Sequence, residues 1–243
     1  MASLSISETA DIDTSSEDYA RRFAGPAGEW LLQVQSAAVL QLAGAGEDRA
    51  VLDVGGGHAQ LAPPLIEAGF RVMVAGSSQS CAERLRAALA GGRCDFIACS
   101  LLRLPFDDRS YDTVVSVRYL SHCPVWQDCI KELCRVAARR VIVDYPRRGG
   151  FNSFYKMLFG FKKKLEGNTR DYLTFSDSEI EGAFEAAGFQ AERQIGQFVL
   201  PMVFHRILKR PAVSAMLERM LGGLGLAARF GTPVIASWVR KTE

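Results

Sequence analysis

Short apolar runs alternate with segments of helical periodicity along most of this chain. Between Tyr19 and Leu42, apolar residues recur at helical spacing, which predicts one or two helices before the first strand. Later runs rich in β-branched residues predict seven strands. Their approximate bounds are 49–54, 70–75, 95–99, 111–117, 140–145, 190–200 and 233–240. Because helical segments separate the first five strands, we expect an α/β fold, a doubly wound, Rossmann-like sheet of seven mostly parallel strands.

Two longer segments interrupt this alternation late in the chain. Residues 147–175 follow the fifth strand and residues 201–230 follow the sixth, and both carry apolar patterns that predict helices. We interpret them as helical insertions that form lids over the sheet. Residues 1–17 are rich in Ser, Thr, Asp and Glu, which predicts a flexible tail. Residues 18–243 are then predicted to form a single domain.

Two patterns predict where later helices begin. Ser80 and Glu83, and again Ser176 and Glu179, have the spacing of a capping box. In that motif a serine and a glutamate satisfy the first N–H groups of a helix. We therefore expect a helix to start at each serine.

Composition narrows the class of protein. Hydrophobic residues make up 48% of the 243 residues, charged residues 23%, and the net charge is +2. These values are ordinary for a globular protein and too weak to attract nucleic acid. The apolar stretches are too short to span a bilayer, and the cysteines lack the spacing of metal ligands. We expect a cytoplasmic protein with no metal site, no nucleic-acid partner and no stable membrane insertion.

Candidate chemistry is concentrated after the first predicted strand. There an apolar run ends in Asp53 and is followed by Gly55, Gly56, Gly57 and His58. Glycine lets the backbone approach a ligand closely, and the N–H groups of a following helix can bind polar ligand atoms. The pattern predicts a nucleotide-cofactor loop. A carboxylate at position 53 would repel a pyrophosphate and attract a cationic amino-acid group, which favours a positively charged cofactor.

The glycine pattern does not fit a dinucleotide site. In the fingerprint G-x-G-x-x-G the third glycine would fall on Gln60, and the second strand ends in Gly76 where such a site needs an acidic residue. A nucleotide-dependent oxidoreductase is therefore disfavoured. An ordinary strand-to-helix turn without a ligand is the other interpretation of the glycines taken alone.

The ends of the other predicted strands supply further candidate binding residues. Ligands of doubly wound sheets bind at the carboxyl ends of the strands. That rule draws attention to the loops at 117–122 and 144–146. It also selects Gly76, Ser77, Ser78, Ser100, Leu101 and Ser116 as candidate cofactor-binding residues.

Three segments resemble the class I S-adenosylmethionine-dependent methyltransferases, in particular the small-molecule (type 11) branch related to ubiquinone and menaquinone methyltransferases. The first segment is 51–57, which holds the glycine turn. The second, 104–116, is the most specific, because it contains L-P-F followed by a turn and Y-D-x-V. The third is L-C-R-V at 133–136. The resemblance extends over about residues 19–188.

This resemblance implies a cofactor, S-adenosyl-L-methionine, and a product, S-adenosyl-L-homocysteine. It implies that Asp53, Gly55 and Gly57 hold the methionine portion, with Asp53 acting on the ammonium group through water. Tyr19 and Arg22 lie where similar proteins close a helix over the cofactor carboxylate, and Arg22 could bind it with two hydrogen bonds. Arg22 is equally compatible with a solvated helix position.

Three positions depart from the family pattern, and the smallest change is Ala59 in place of a later glycine. Relatives end the second strand in an acidic residue that binds both ribose hydroxyls, whereas this chain has Gly76. Relatives carry Gly-Asp beside the adenine amino group, whereas this chain has Cys99 and Ser100. Ser77, Ser78 and Ser100 are the expected substitutes. The departures keep an alternative open, a methyltransferase fold that has lost catalysis and serves as a binding or scaffolding partner.

Methyl transfer from a sulfonium is an in-line displacement, so such an enzyme mainly aligns the reactants. His122, after the fourth strand, is the candidate general base for an acceptor that arrives protonated. Tyr119 is the candidate for orienting an acceptor hydroxyl. Both residues are also compatible with packing or capping roles.

The two insertions indicate the kind of acceptor. Their aromatic and apolar residues predict a small apolar or aromatic substrate, with O-methylation favoured over N- or C-methylation. The same apolar stripes are compatible with a homodimer interface. Lys162, Lys163 and Lys164 are compatible with peripheral contact to an anionic membrane or with an ordinary solvated surface.

Overall fold

One seven-stranded sheet forms the centre of the molecule. The computed structural model describes residues 10–44, 49–149 and 173–242. The strands lie in the order β3-β2-β1-β4-β5-β7-β6. Their bounds are Ala50–Val54 (β1), Arg71–Gly76 (β2), Cys94–Ala98 (β3), Tyr111–Ser116 (β4), Ala137–Tyr145 (β5), Phe189–Phe198 (β6) and Thr232–Arg240 (β7). β1 to β5 pair in parallel and β7 is antiparallel to both neighbours, so the predicted mostly parallel sheet is confirmed.

Helices cover both faces of the sheet. In the described residues their bounds are Ala10–Thr14 (α1), Glu17–Arg21 (α2), Pro26–Ala43 (α3), Ala62–Glu67 (α4), Arg86–Ala90 (α5), Trp126–Val136 (α6), Asp177–Ala186 (α7), Met202–Leu208 (α8), Pro211–Gly223 (α9) and Leu226–Phe230 (α10). Within the same residues, 3-10 turns follow β1, β2 and β4, at Gly56–His58, Gln79–Leu85 and Leu120–His122.

Successive strand residues divide between two cores because strand side chains alternate between faces. Leu52 and Val114 belong to the core that includes residues of α6 and α7, whereas Val51 and Val115 belong to the core that includes residues of α3 and α4. Both faces of the central strands are therefore buried, which accounts for their nearly continuous apolar sequences.

The chain reverses its strand order between β1 and β4. β1 pairs with β2 on one side and with β4 on the other. The connections leaving β1 and β4 therefore run in opposite directions, which opens a crevice at their carboxyl ends. The glycine turn and the loop that contains His122 lie at this crevice, as the sequence predicts.

The start of the described chain differs from the predicted flexible tail. Residues 10–14 form α1, and Asp11 is only 1% exposed. The prediction considered apolar burial alone, whereas this segment is held by hydrogen bonds from Ser77 to the Asp11 carboxylate. The first nine residues of the predicted tail lie outside the described residues.

The second predicted insertion is helical and partly apolar on its surface. It contains α8, α9 and α10. Its exposed large apolar residues are Phe204, Ile207, Met216, Met220 and Leu224. Most of the first insertion, including Lys162–Lys164, lies outside the described residues. Its described ends are joined by a bridge between Arg147 and Phe175.

The two predicted capping boxes have different outcomes. Ser176 and Glu179 form a complete box at the start of α7. The box at Ser80 is wrong, because Ser78 caps the segment by accepting the Ser80 N–H and the segment is a 3-10 turn. Gln79–Leu85 then runs into α5, so the helical region begins about two residues earlier than predicted.

Replacing Ser176 tests the contribution of this cap to stability. Ser176→Ala removes the oxygen that accepts the Glu179 N–H, 3.3 Å away. We expect the free energy of unfolding to fall by about 1 kcal/mol in urea denaturation. Ser176→Asp keeps a capping oxygen and should retain wild-type stability. Equal losses in both variants would contradict the capping role.

Candidate cofactor and acceptor site

The turn after β1 adopts a conformation that requires glycine. Gly55 has φ 77°, in the left-handed region, and its N–H donates to the carbonyl of Ala75 on β2. A Cβ on Gly56 would overlap the carboxylate of Asp53, and one on Gly57 would overlap the hydroxyl of Ser15. Gly56 therefore lets the turn pack closely over the end of β1, and Gly57 lets Ser15 and Cys81 pack against the turn.

Asp53 is buried beneath this turn without a partner. Its side chain is 1% exposed, and neither carboxylate oxygen has a hydrogen-bond partner. Burial raises the pKa of Asp53 from 3.8 to about 7. A buried carboxylate without a cation is costly, so the position is suited to a cationic group that arrives with a ligand.

A buried polar network lies beside the turn at the ends of β4 and β5. The Arg118 N–H donates to Asp144 Oδ1 at 2.6 Å, and its guanidinium donates to Gln35 Oε1 at 3.1 and 2.8 Å. Gln35 Nε2 donates to Asp144 Oδ2, and Gln60 Nε2 donates to Gln35 Oε1. The network fixes a guanidinium at the crevice, with its Nη1 3.4 Å from His58 Nε2.

Burial sets the charge states in this network. It lowers the pKa of His58 to about 3, assisted by the positive charges of Arg118 and Arg84, so the imidazole is neutral at pH 7. It raises the pKa of Asp144 to about 6, although the Arg118 N–H and charge oppose that shift. At pH 7 the Asp144 carboxylate is therefore mostly ionised and offsets the charge of Arg118, while His58 carries no charge.

Three guanidinium groups beside this network lie over two aromatic rings, those of Tyr19 and Phe23. Arg118 lies 4.2 Å from the centre of the Phe23 ring, and Arg206, from α8, lies 5.1 Å from the same ring. Arg22 lies 5.3 Å from the Tyr19 ring. Stacking on aromatic rings stabilises guanidinium groups at partly buried positions. The predicted residues Tyr19 and Arg22 thus lie next to the crevice, joined there by an arginine from the second insertion.

The end of β2 explains the missing acidic residue. A Cβ on Gly76 would lie 2.9 Å from Cys81 Cβ and 3.0 Å from the Phe96 ring, so a larger side chain does not fit there. Ser77 donates to Asp11 from its N–H and from its hydroxyl. Ser78 is used as a cap. The carboxylate at this strand end comes from α1 and not from β2.

Three other predicted residues take largely structural positions. Ser116 Oγ donates to the carbonyl of Val54 at 2.9 Å, which joins β4 to β1. Ser100 Oγ accepts the Leu102 N–H at 3.3 Å. Leu101 is fully buried in the core that contains α6. Roles for these residues toward a cofactor stay predictions.

The two candidate catalytic residues differ in environment. Tyr119 is 1% exposed, and its ring would be 3.4 Å from a Cβ on Gly55, so it supports the glycine turn from below. Burial raises the pKa of its hydroxyl, which keeps it protonated. His122 is partly exposed, and burial and the charge of Arg22 lower its pKa, so it is a neutral base at pH 7.

Several residues of the site were not singled out from the sequence. Arg118 follows β4 and Asp144 is the penultimate residue of β5, both inside segments that the strand-end rule had marked. Gln35, Arg206 and Asp11 come from helices far away in sequence, and nothing local to them indicates where they fold. Their positions depend on tertiary packing.

Comparison with known families identifies the domain. A family model described as a methyltransferase domain matches residues 51–140, which span the glycine turn, the Asp107–Ser116 region and the start of β5. Residues 51–140, less than half of the chain, are therefore similar to a methyltransferase domain. The match is compatible with the type 11 branch.

One curated relative has a shorter match. Cycloartenol-C-24-methyltransferase 1 from Oryza sativa subsp. japonica is 35% identical over 51 residues, which are 21% of this chain and 15% of that protein. The matched stretch thus spans less than a sixth of the relative. It supports the methyltransferase domain and leaves the acceptor of the present protein to be proposed.

Solved structures share the fold. Magnesium protoporphyrin IX methyltransferase from Synechocystis PCC 6803 with bound S-adenosylhomocysteine has a TM-score of 0.64 at 22% identity, over 94% of this chain and 97% of that chain. A methyltransferase in complex with the Trm112 activator from Haloferax volcanii has a TM-score of 0.67 at 17% identity, over 99% and 100%. The [4+2]-cyclase SpnF has a TM-score of 0.58 at 17% identity, over 86% and 80%.

Two other features are absent from the part of the chain that the structure describes. No group of three or more His, Cys, Asp or Glu side chains has an arrangement suited to a metal ion. Within the same ranges, no helix is long and apolar enough to cross a membrane.

The environment of Asp53 predicts how stability depends on pH. Its pKa is near 3.8 in the unfolded chain and about 7 in the fold, so the folded state binds more protons between these values. Rising pH therefore removes stability across this range. Asp53→Asn should be more stable than wild type by about 2–4 kcal/mol at pH 8 and nearly equal at pH 4.

Urea denaturation at pH 4, 6 and 8 measures this difference. Asp112→Asn is the control, because Asp112 pairs with Arg49 at 3.4 Å and is partly exposed. It should give no stabilisation at pH 8. An Asp53→Asn protein that is less stable than wild type at pH 8 would show that Asp53 has a stabilising partner.

Proposed function

We propose that this protein transfers a methyl group from S-adenosyl-L-methionine to a small acceptor with apolar or aromatic character. The observation that carries the proposal is Asp53, a buried carboxylate without a partner beneath a glycine turn. The amino-acid end of this cofactor carries an ammonium group that matches such a site. Gly56 lets the turn pack directly against this carboxylate.

The residues of the crevice have distinct roles in this proposal. Asp53 holds the ammonium group, and Arg22 is placed to bind the carboxylate of the same amino-acid end. The cofactor, when bound, supplies an electrophilic methyl group. The network of Arg118, Gln35 and Asp144 fixes the opposite wall, so that an acceptor is held in line with that methyl group.

The surroundings favour O-methylation of an aromatic hydroxyl. Tyr19 and Phe23 offer ring surfaces, and the exposed apolar residues of α8 and α9 lie in the predicted lid. The guanidinium groups of Arg118 and Arg206 would stabilise negative charge as an acceptor hydroxyl loses its proton. His122, neutral at pH 7, accepts that proton in this mechanism. The cytoplasm is the proposed location, and a homodimer through the exposed apolar residues is compatible with the proposal.

A second candidate function is a binding or scaffolding role without catalysis. The position of Asp11 at the end of β2 favours it, because a side chain of the protein occupies part of the crevice. The neighbour SpnF is described as a cyclase, so the fold also supports chemistry other than methyl transfer. Failure of the wild-type protein to bind the cofactor would favour this candidate over the enzyme.

Calorimetric titration with S-adenosylhomocysteine tests the cofactor site. We expect wild type to bind with a dissociation constant in the micromolar range and Asp53→Asn to bind about ten- to a hundredfold more weakly, since the charged partner of the ammonium group is lost. Asp112→Asn should bind like wild type. Absence of binding to wild type at millimolar ligand would favour the scaffolding candidate.

A second experiment tests the proposed base. Release of S-adenosylhomocysteine would be measured with a panel of hydroxylated aromatic compounds, and kcat compared between wild type and His122→Asn. We expect kcat to fall about 10²- to 10⁴-fold with unchanged affinity for S-adenosylhomocysteine. Unchanged kcat with the preferred acceptor would leave His122 a structural role.

A further inference from the structure

α1 lies across the carboxyl ends of β1 and β2. Ala10, Asp11, Thr14 and Ser15 are all buried, although the helix has only five residues. Ser15 Oγ donates to the Asp11 carbonyl at 2.6 Å, which extends the helix by one buried residue. Such a short helix is not stable alone, so its position depends on the surface beneath it.

The Asp11 carboxylate anchors this helix to the end of β2. Oδ2 accepts the Ser77 N–H at 2.7 Å and lies 3.3 Å from Cys81 Sγ, and Oδ1 accepts the Ser77 hydroxyl. All three donors are neutral. The Ser77 N–H, the first backbone donor after β2, is thus taken by the protein itself.

Ser15 anchors the other end of the helix to the glycine turn. A Cβ on Gly57 would overlap the Ser15 hydroxyl and would lie 2.8 Å from Cys81 Cβ. The same position on Gly57 thus brings Ser15 close to the Cys81 side chain. α1 therefore bridges the turn after β1 and the end of β2, the two places between which the nucleoside of a bound cofactor would lie.

We propose that α1 occupies the nucleoside half of the cofactor site, with Asp11 as its anchor, and that cofactor binding displaces it. This inference rests on the proposed function. It makes cofactor affinity depend on two steps, release of α1 and binding to the opened site. The measured affinity is then lower than the intrinsic affinity by the fraction of molecules in which α1 is released.

The opposite role for Asp11 is to stay in place and bind the ribose hydroxyls that β2 cannot bind. The geometry disfavours that role, because the carboxylate already accepts three donors and its helix fills the space in front of Gly57. The two roles predict opposite effects of removing Asp11, so one substitution distinguishes them.

The first test measures S-adenosylhomocysteine affinity in the full chain. Asp11→Ala should bind about tenfold or more tightly than wild type, because α1 loses its anchor. The matched control is Asp18→Ala on α2, whose side chain is 89% exposed and should leave affinity unchanged. Weaker binding by Asp11→Ala would overturn the proposal and assign Asp11 to the ribose.

The second test locks α1 in place. Ser15→Cys puts a thiol beside Cys81, and mild oxidation should join the two sulfurs. We expect the oxidised protein to lose S-adenosylhomocysteine binding and to recover it after reduction. Ser15→Cys combined with Cys81→Ser cannot form this disulfide and should bind before and after oxidation.

The outcomes separate this inference from the proposed function. If wild type binds S-adenosylhomocysteine and the locked protein binds equally well, α1 does not occupy the site, and the cofactor assignment stands. If neither wild type nor Asp11→Ala nor the reduced variants bind the ligand, the cofactor assignment fails and the inference with it. Thermal melting of each variant confirms that it is folded before binding is measured.

Discussion

The candidate site depends on one constraint, the burial of the Asp53 carboxylate without a hydrogen-bond partner. It lies at the end of the central strand, under a turn whose glycines allow the backbone to close over it, and no hydrogen-bond donor reaches either oxygen. A fold optimised only for stability would not retain a buried, unpaired acidic group. The arrangement around Asp53 is suited to a cationic group that a ligand brings.

Much of the fold could be predicted because the determining signals are local. The apolar runs of β1 to β5 and the helical periodicity between them set the sheet, and the Ser176 capping box begins its helix as predicted. The prediction of a cap at Ser80 was wrong because Ser78, two residues earlier, caps the segment. The short helix α1 could not be predicted, since it has almost no apolar face and depends on donors more than sixty residues away.

In the candidate site, the arrangement of the glycine turn was predictable and that of the surrounding guanidinium groups was not. Asp53 and the glycines are contiguous in sequence, so their arrangement follows from one strand and one turn. The guanidinium groups of Arg22, Arg118 and Arg206 come together only through packing against Tyr19 and Phe23. The sequence shows that position 76 has no acidic residue. The reason, the close approach of Cys81 and Phe96 to Gly76, is visible only in the structure.

The matched domain ends at residue 140, whereas α1, α3 and α8 lie beyond its limits and supply Asp11, Gln35 and Arg206 to the crevice. Part of the crevice is therefore encoded outside the stretch that carries the glycine turn, Arg118 and His122. Such a division allows the flanking stretches to diverge rapidly under selection for new substrates while the central stretch keeps folding. Orthologues should accordingly vary most in these flanks.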